Sequence, residues 1–71
     1  MAESVYKVVE LVGTSDVSWE RAAAAAVERA GETLRDLRIA QVVEQDLQIE
    51  DGKVVAYRSK LKVSFKFEAG G

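Results

Sequence analysis

Four residues with oxygen donors, Glu44, Asp46, Gln48 and Glu50, recur at every second position of the stretch LRIAQVVEQDLQIE. On an extended strand that spacing puts them on one face. Carboxylates and amides so arranged are donors for a hard cation, and Ca²⁺ takes about six to eight oxygens at ~2.3 to 2.6 Å. One strand cannot supply that many. Glu44 and Asp46 are therefore the candidate metal ligands, with backbone carbonyls, Ser59 or a second subunit needed to complete the shell. The plain alternative is a polar, solvated strand end. The GTSD loop, with Thr14, Ser15 and Asp16, is a lesser candidate that also reads as an ordinary helix entry.

The chain has neither Cys nor His, which excludes thiolate and imidazole metal sites and nucleophiles activated by His. It carries no P-loop or dinucleotide fingerprint. No nucleophile, base and oxyanion donor are brought together by the pattern, so the expectation is a protein that is not an enzyme. Ten basic against twelve acidic residues give a net charge of −2, leaving no basic excess to drive nucleic-acid binding. Lys60, Lys62 and Lys66 read as a solvated or intersubunit face, and Arg58 as an interface contact or the partner of an anionic ligand.

The elements that position these residues follow from periodicity. In YRSKLKVSFKF, Leu61, Val63, Phe65 and Phe67 alternate with Lys60, Lys62, Ser64 and Lys66, the pattern of a strand with one dry side. SVYKVVELV, from Ser4 to Val12, predicts a strand apolar on both faces, ended by the turn formers Gly13 to Asp16. Ser18 is placed to cap a helix from Trp19 to about Arg35, with Glu20 in its first turn. Trp19, Ala23, Ala26, Val27, Ala30 and Leu34 form its apolar stripe, which makes Trp19 a core residue. Leu37 to Glu50 predicts the next strand, and Asp51-Gly52 a type I′ hairpin turn.

If that turn is tight, Glu50 pairs with Lys53, and counting outward sets Gln45 beside Arg58 and Ile39 on the same face as both. Glu44 and Asp46 then share the other face with Tyr57 and Ser59, unless a bulge intervenes. The order strand, helix, strand, strand predicts an α+β fold, β-α-β-β: a three-stranded antiparallel sheet, its last strand in the middle, wrapping one amphipathic helix. One helix covers one side only. The second side needs a partner, and in a single domain of 71 residues that buries only about 60% of its surface the economical partner is another copy of itself. Without an apolar run after a basic start, or any segment near the ~20 apolar residues of a span, the expected location is the cytoplasm, with no membrane partner. The terminal glycines are expected to be a disordered tail.

SVYKVVELVGTS, the alanine-rich helix ending in TLRDLR, QVVE, IEDGKV and LKVSFKFE, in that order over essentially the whole chain, resemble the dodecins. The resemblance implies a subunit of a hollow homo-dodecamer. It also implies a flavin site in which a tryptophan early in the second strand stacks the ring and a glutamine on the third strand bonds it. Ile39 stands at the tryptophan position and Arg58 at the glutamine position, so Ile39, Gln45 and Arg58 are the candidate ligand-face residues. An aliphatic side chain has no π face and a guanidinium no acceptor. GTS, SWE, RIAQVVEQD and YRSKLKVSFKF are more similar to the calcium-dodecin branch. The implied function is a self-assembling protein that binds or sequesters a small ligand or divalent cation, calcium first. The alternatives are a flavin-storage dodecin with an atypical pocket, and a structural shell.

Overall fold

The computed structural model describes residues 3–67; the terminal glycines read above as a tail lie outside them. Strand β1 (Tyr6–Ser15), helix α1 (Trp19–Ala30), strand β2 (Leu37–Glu50) and strand β3 (Lys53–Lys66) follow in chain order. The sheet order is β1-β3-β2, and both pairings are antiparallel. This is the expected architecture.

Alternation on β3 sets the core. Ser59, Leu61 and Val63 are fully or almost fully buried on the side that faces the helix, and Val9 and Leu11 pair beside Val63 and Leu61 on the same side. The helix meets them with Ala22, Ala26 and Ala30, spaced by one turn. Its first turn is closed by Ser18, whose Oγ accepts from the Arg21 amide at 3.0 Å.

Three element bounds differ from the expectation, the first being the start of β1 at Tyr6 rather than Ser4. β1 runs on through Gly13 and Thr14 to Ser15, because Gly13 is not a turn residue: it pairs with Ser59 and lies beneath the helix. A Cβ built there would stand 2.0 Å from the Ala22 carbonyl oxygen. The helix ends at Ala30 rather than Arg35. Gly31 follows, and the Thr33 and Leu34 amides both turn back to the Ala30 carbonyl, at 3.1 and 2.8 Å.

The hairpin turn is as predicted, with Asp51 at φ 53° and Gly52 at φ 73°. Glu50 pairs with Lys53 and Ile49 with Val54. One step further the register slips, since Gln48 pairs with Ala56 and leaves Val55 as an extra residue on β3. Val43 is the extra residue on β2 that reverses the slip, and from Val42 opposite Leu61 to Ile39 opposite Ser64 the register is again the one expected.

The two central glycines separate close packing from backbone conformation. Gly13→Ala places a methyl group against backbone and is expected to destabilise by about 3 kcal/mol or more. Gly52→Ala meets no atom within 4 Å and pays only for positive φ, about 1 to 2 kcal/mol. Chemical denaturation of the two variants should rank them in that order.

Candidate functional site

The face of the sheet away from the helix carries the polar side chains of β3, and the paired bulges decide what stands beside them. Between the bulges Asp46 lies opposite Arg58 and Glu44 opposite Lys60. Thr14 and Val12 flank the same two β3 residues from β1. The expectation that Gln45 faces Arg58 is overturned, because Val55 shifts this segment by one residue. Gln45 instead pairs with Ser59 on the helix side. The same shift carries Glu44 and Asp46 off the face of Tyr57 and Ser59, where the unbulged register put them, to the outer one.

Arg58 Nε and Nη2 donate to Asp46 Oδ1 and Oδ2 at 2.7 and 2.9 Å, a two-pronged contact of planar groups. The hydrogen bonds from Arg58 are the main reason that the Asp46 carboxyl is held below its ordinary range, and the same contact raises Arg58. Lys60 Nζ stands 3.6 Å from Glu44 Oε1, a looser pair. Both contacts are open to solvent, so screening limits what they add to stability.

Asp46 is also held through its backbone. Its carbonyl accepts from Trp19 Nε1 at 3.1 Å. The Trp19 ring meets Tyr57 edge to face, with centroids 5.2 Å apart and planes at 77°, and the buried Ser59 donates its Oγ proton to the Trp19 carbonyl at 3.0 Å. Trp19 is thus half-buried at the start of the helix, and its polar edge reaches the strand that carries the candidate cation ligands. Sequence reasoning missed Ser59 as an anchor, although a lone hydroxyl in the dry run Tyr57, Leu61, Val63 was its signal.

Ile39 does share the outer face with Arg58, as expected, and it is 67% exposed. It pairs with Ser64, however, six residues along β3 from Arg58. At ~3.3 Å per residue that is about 20 Å, too far for one small ligand to touch both within a single copy. In the GTSD loop, Ser15 Oγ accepts from the Val17 amide at 3.0 Å, which is local turn bonding. Among the described residues no group of three or more Asp and Glu converges as a metal site would. One copy offers the Glu44 and Asp46 carboxylates, spaced two residues apart on one face, and the remaining oxygens of a Ca²⁺ shell would have to come from water or a second copy. No helix among the described residues is long and apolar enough to cross a membrane.

Comparison with known proteins places this arrangement. The family profile for dodecin matches residues 5–68. Calcium dodecin of Mycobacterium tuberculosis is 52% identical over 63 residues, 89% of either chain, and dodecin of Thermus thermophilus is 45% identical over 64 residues, 90% of this chain and 93% of that one. Among solved structures, dodecin from Streptomyces coelicolor superposes with a TM-score of 0.90 at 40% identity, covering 99% of this chain and 100% of that one. The calcium-chelating antigen calcium dodecin of M. tuberculosis, described as having a novel calcium-binding site, superposes with a TM-score of 0.81 at 51% identity, covering 96% and 97%. The β-α-β-β order, the central third strand and near-complete coverage by these relatives lead to one conclusion: the chain belongs to the dodecin family.

Proposed function

We propose that this dodecin is a non-enzymatic, self-assembling protein that binds or sequesters a divalent cation, calcium in the first place. The observation that carries the reading is its 52% identity to a calcium dodecin. The outer face agrees with it in kind, because it presents the carboxylates of Glu44 and Asp46. Glu44 and Asp46 are the ligands assigned to the cation, with other oxygens from water and from a neighbouring copy. Arg58 competes with the cation for Asp46, since the two oxygens that would ligate Ca²⁺ are those that accept its hydrogen bonds.

The same geometry argues against the flavin-storage reading. At the two positions where the dodecin resemblance implies a stacking tryptophan and a bonding glutamine, the chain has Ile39 and Arg58. Ile39 forgoes a stacking contact worth about 0.5 to 1.5 kcal/mol. Arg58, a donor only, is already engaged by Asp46. Any ligand that did use Ile39, Gln45 and Arg58 would need them from more than one copy, because Gln45 faces away from the other two.

Calcium titration by calorimetry tests the cation reading. Asp46→Asn is expected to weaken binding by about tenfold or more, Glu44→Gln by less, and Arg58→Gln to strengthen it by freeing Asp46; binding that is the same in all four proteins removes these residues. Flavin fluorescence is expected to remain unquenched at stoichiometric protein, and strong quenching would establish the flavin reading instead.

The fork has its own signature in pH. A depressed carboxyl contributes stability above its unfolded value, about 3.9, and loses that contribution as pH falls through the folded midpoint. Following the Asp46 carboxyl carbon by NMR should give a midpoint below that of an ordinary aspartate, and Arg58→Gln should raise it toward the ordinary aspartate range.

A further inference from the structure

The segment that carries the candidate cation ligands has little of the chain's own structure to support it. β2 is an edge strand of the sheet, and residues 44–48 lie between two register shifts, so the ladder to β3 is interrupted at each end. Asp46 is exposed on the outer face. From the helix side, Trp19 reaches it: the indole N–H donates to the Asp46 carbonyl at 3.1 Å. An indole is a donor only, so a backbone carbonyl is a group that it can hold.

Trp19 is itself firmly seated. Its carbonyl accepts from the hydroxyl of the buried Ser59 at 3.0 Å, and its ring stands edge to face on Tyr57. It opens a helix whose first turn is closed by Ser18 on the Arg21 amide. Ser59 and Tyr57 belong to the central strand, and Ser59 pairs with Gly13 directly beneath the helix. The indole is therefore a strut that runs from the best-buried part of the molecule to an edge strand. An aromatic with a polar handle usually finds a hydrogen-bond partner. What is particular here is the residue it finds, a candidate ligand.

Asp46 is thus gripped twice. Arg58 holds its carboxylate on the outer face at 2.7 and 2.9 Å, and Trp19 holds its backbone from the helix side. The two grips respond differently to a cation, which takes the carboxylate oxygens and displaces the guanidinium but leaves the indole its carbonyl. Resting on the cation reading above, we infer that Trp19 is a positioning residue for the cation site, keeping Asp46 in place while its carboxylate exchanges Arg58 for the cation. A ligand already held in its bound position costs less to order on binding. Without the indole, the segment between the register shifts is left to the β3 ladder and the Arg58 fork, and the cation removes the fork.

Calcium calorimetry on Trp19→Phe tests this, because phenylalanine keeps a ring against Tyr57 and removes the N–H. With far-UV circular dichroism and particle size as in the wild type, the variant is expected to bind calcium about threefold to tenfold more weakly, the range of one hydrogen bond. In the Arg58→Gln protein the indole is the remaining side-chain grip on Asp46, so the same substitution is expected to weaken binding by a larger factor there. A purely structural role would give the same factor in both. The indole N–H resonance adds a readout that needs no substitution and decides the matter if Trp19→Phe does not fold. It is unambiguous, since the chain has one tryptophan, and it is expected to move as calcium is titrated. A wild type that binds no calcium overturns the cation reading and this inference with it. A wild type that binds calcium overturns this inference alone if Trp19→Phe binds as tightly, if the two factors are equal, or if the resonance is unmoved at saturation.

Discussion

The seam between helix and sheet is made almost without side chains, and most of the fold depends on it. Gly13 and Ala22 meet backbone to backbone, and Ala26 follows one turn on. So close an approach holds α1 over β1 and β3 and lets short side chains seal the core around Leu61 and Val63. It also limits the reach of the helix. Methyl groups extend little sideways, so β2 is covered at two places, where the long indole of Trp19 spans to Asp46 and where Leu37 packs against the core beside the far end of the helix. The uncovered outer face of the sheet is a consequence of one small helix seated deep on one half of a long sheet.

That arrangement was legible where the sequence pattern is local. The alternation of Leu61, Val63 and Phe65 with lysines, the Ser18 cap and the Asp51-Gly52 turn are each determined by neighbours in the chain, and each is found as read. The middle of the β2–β3 pair was not legible. Val55 and Val43 look like ordinary strand residues, and nothing in their type marks them as bulges. Yet together they displace only the segment 44–48, returning the register on both sides to that set by the turn. Counting from a hairpin therefore succeeds at Ile39 and fails at Gln45, because an error introduced by one bulge is cancelled by the next.

The displaced segment is also the one with the candidate chemistry. Without the slip, Arg58 would face the Gln45 amide, and Asp46 would point toward the helix side with no cation beside it. With it, two carboxylates emerge on the outer face, each opposite a basic residue of β3. Cross-strand pairs of opposite charge stabilise a sheet modestly, and exposed ones do so weakly, which makes them replaceable. A divalent cation brings twice the charge of a guanidinium and accepts more oxygens, so a face of loosely held carboxylates can exchange one partner for another without rebuilding the strand.

Distance supplies the last constraint on the ligand. Ile39 and Arg58 lie on one face but some 20 Å apart, by the ~3.3 Å rise of a strand, so no small molecule bridges them within a copy. Two carboxylates in one copy likewise fall short of a calcium shell. On the cation reading proposed above, water or a second copy would supply the oxygens that complete the shell. Where a second copy supplies part of the shell, assembly and cation binding would be linked, since a ligand shared by two copies favours the assembled state over the separated chains.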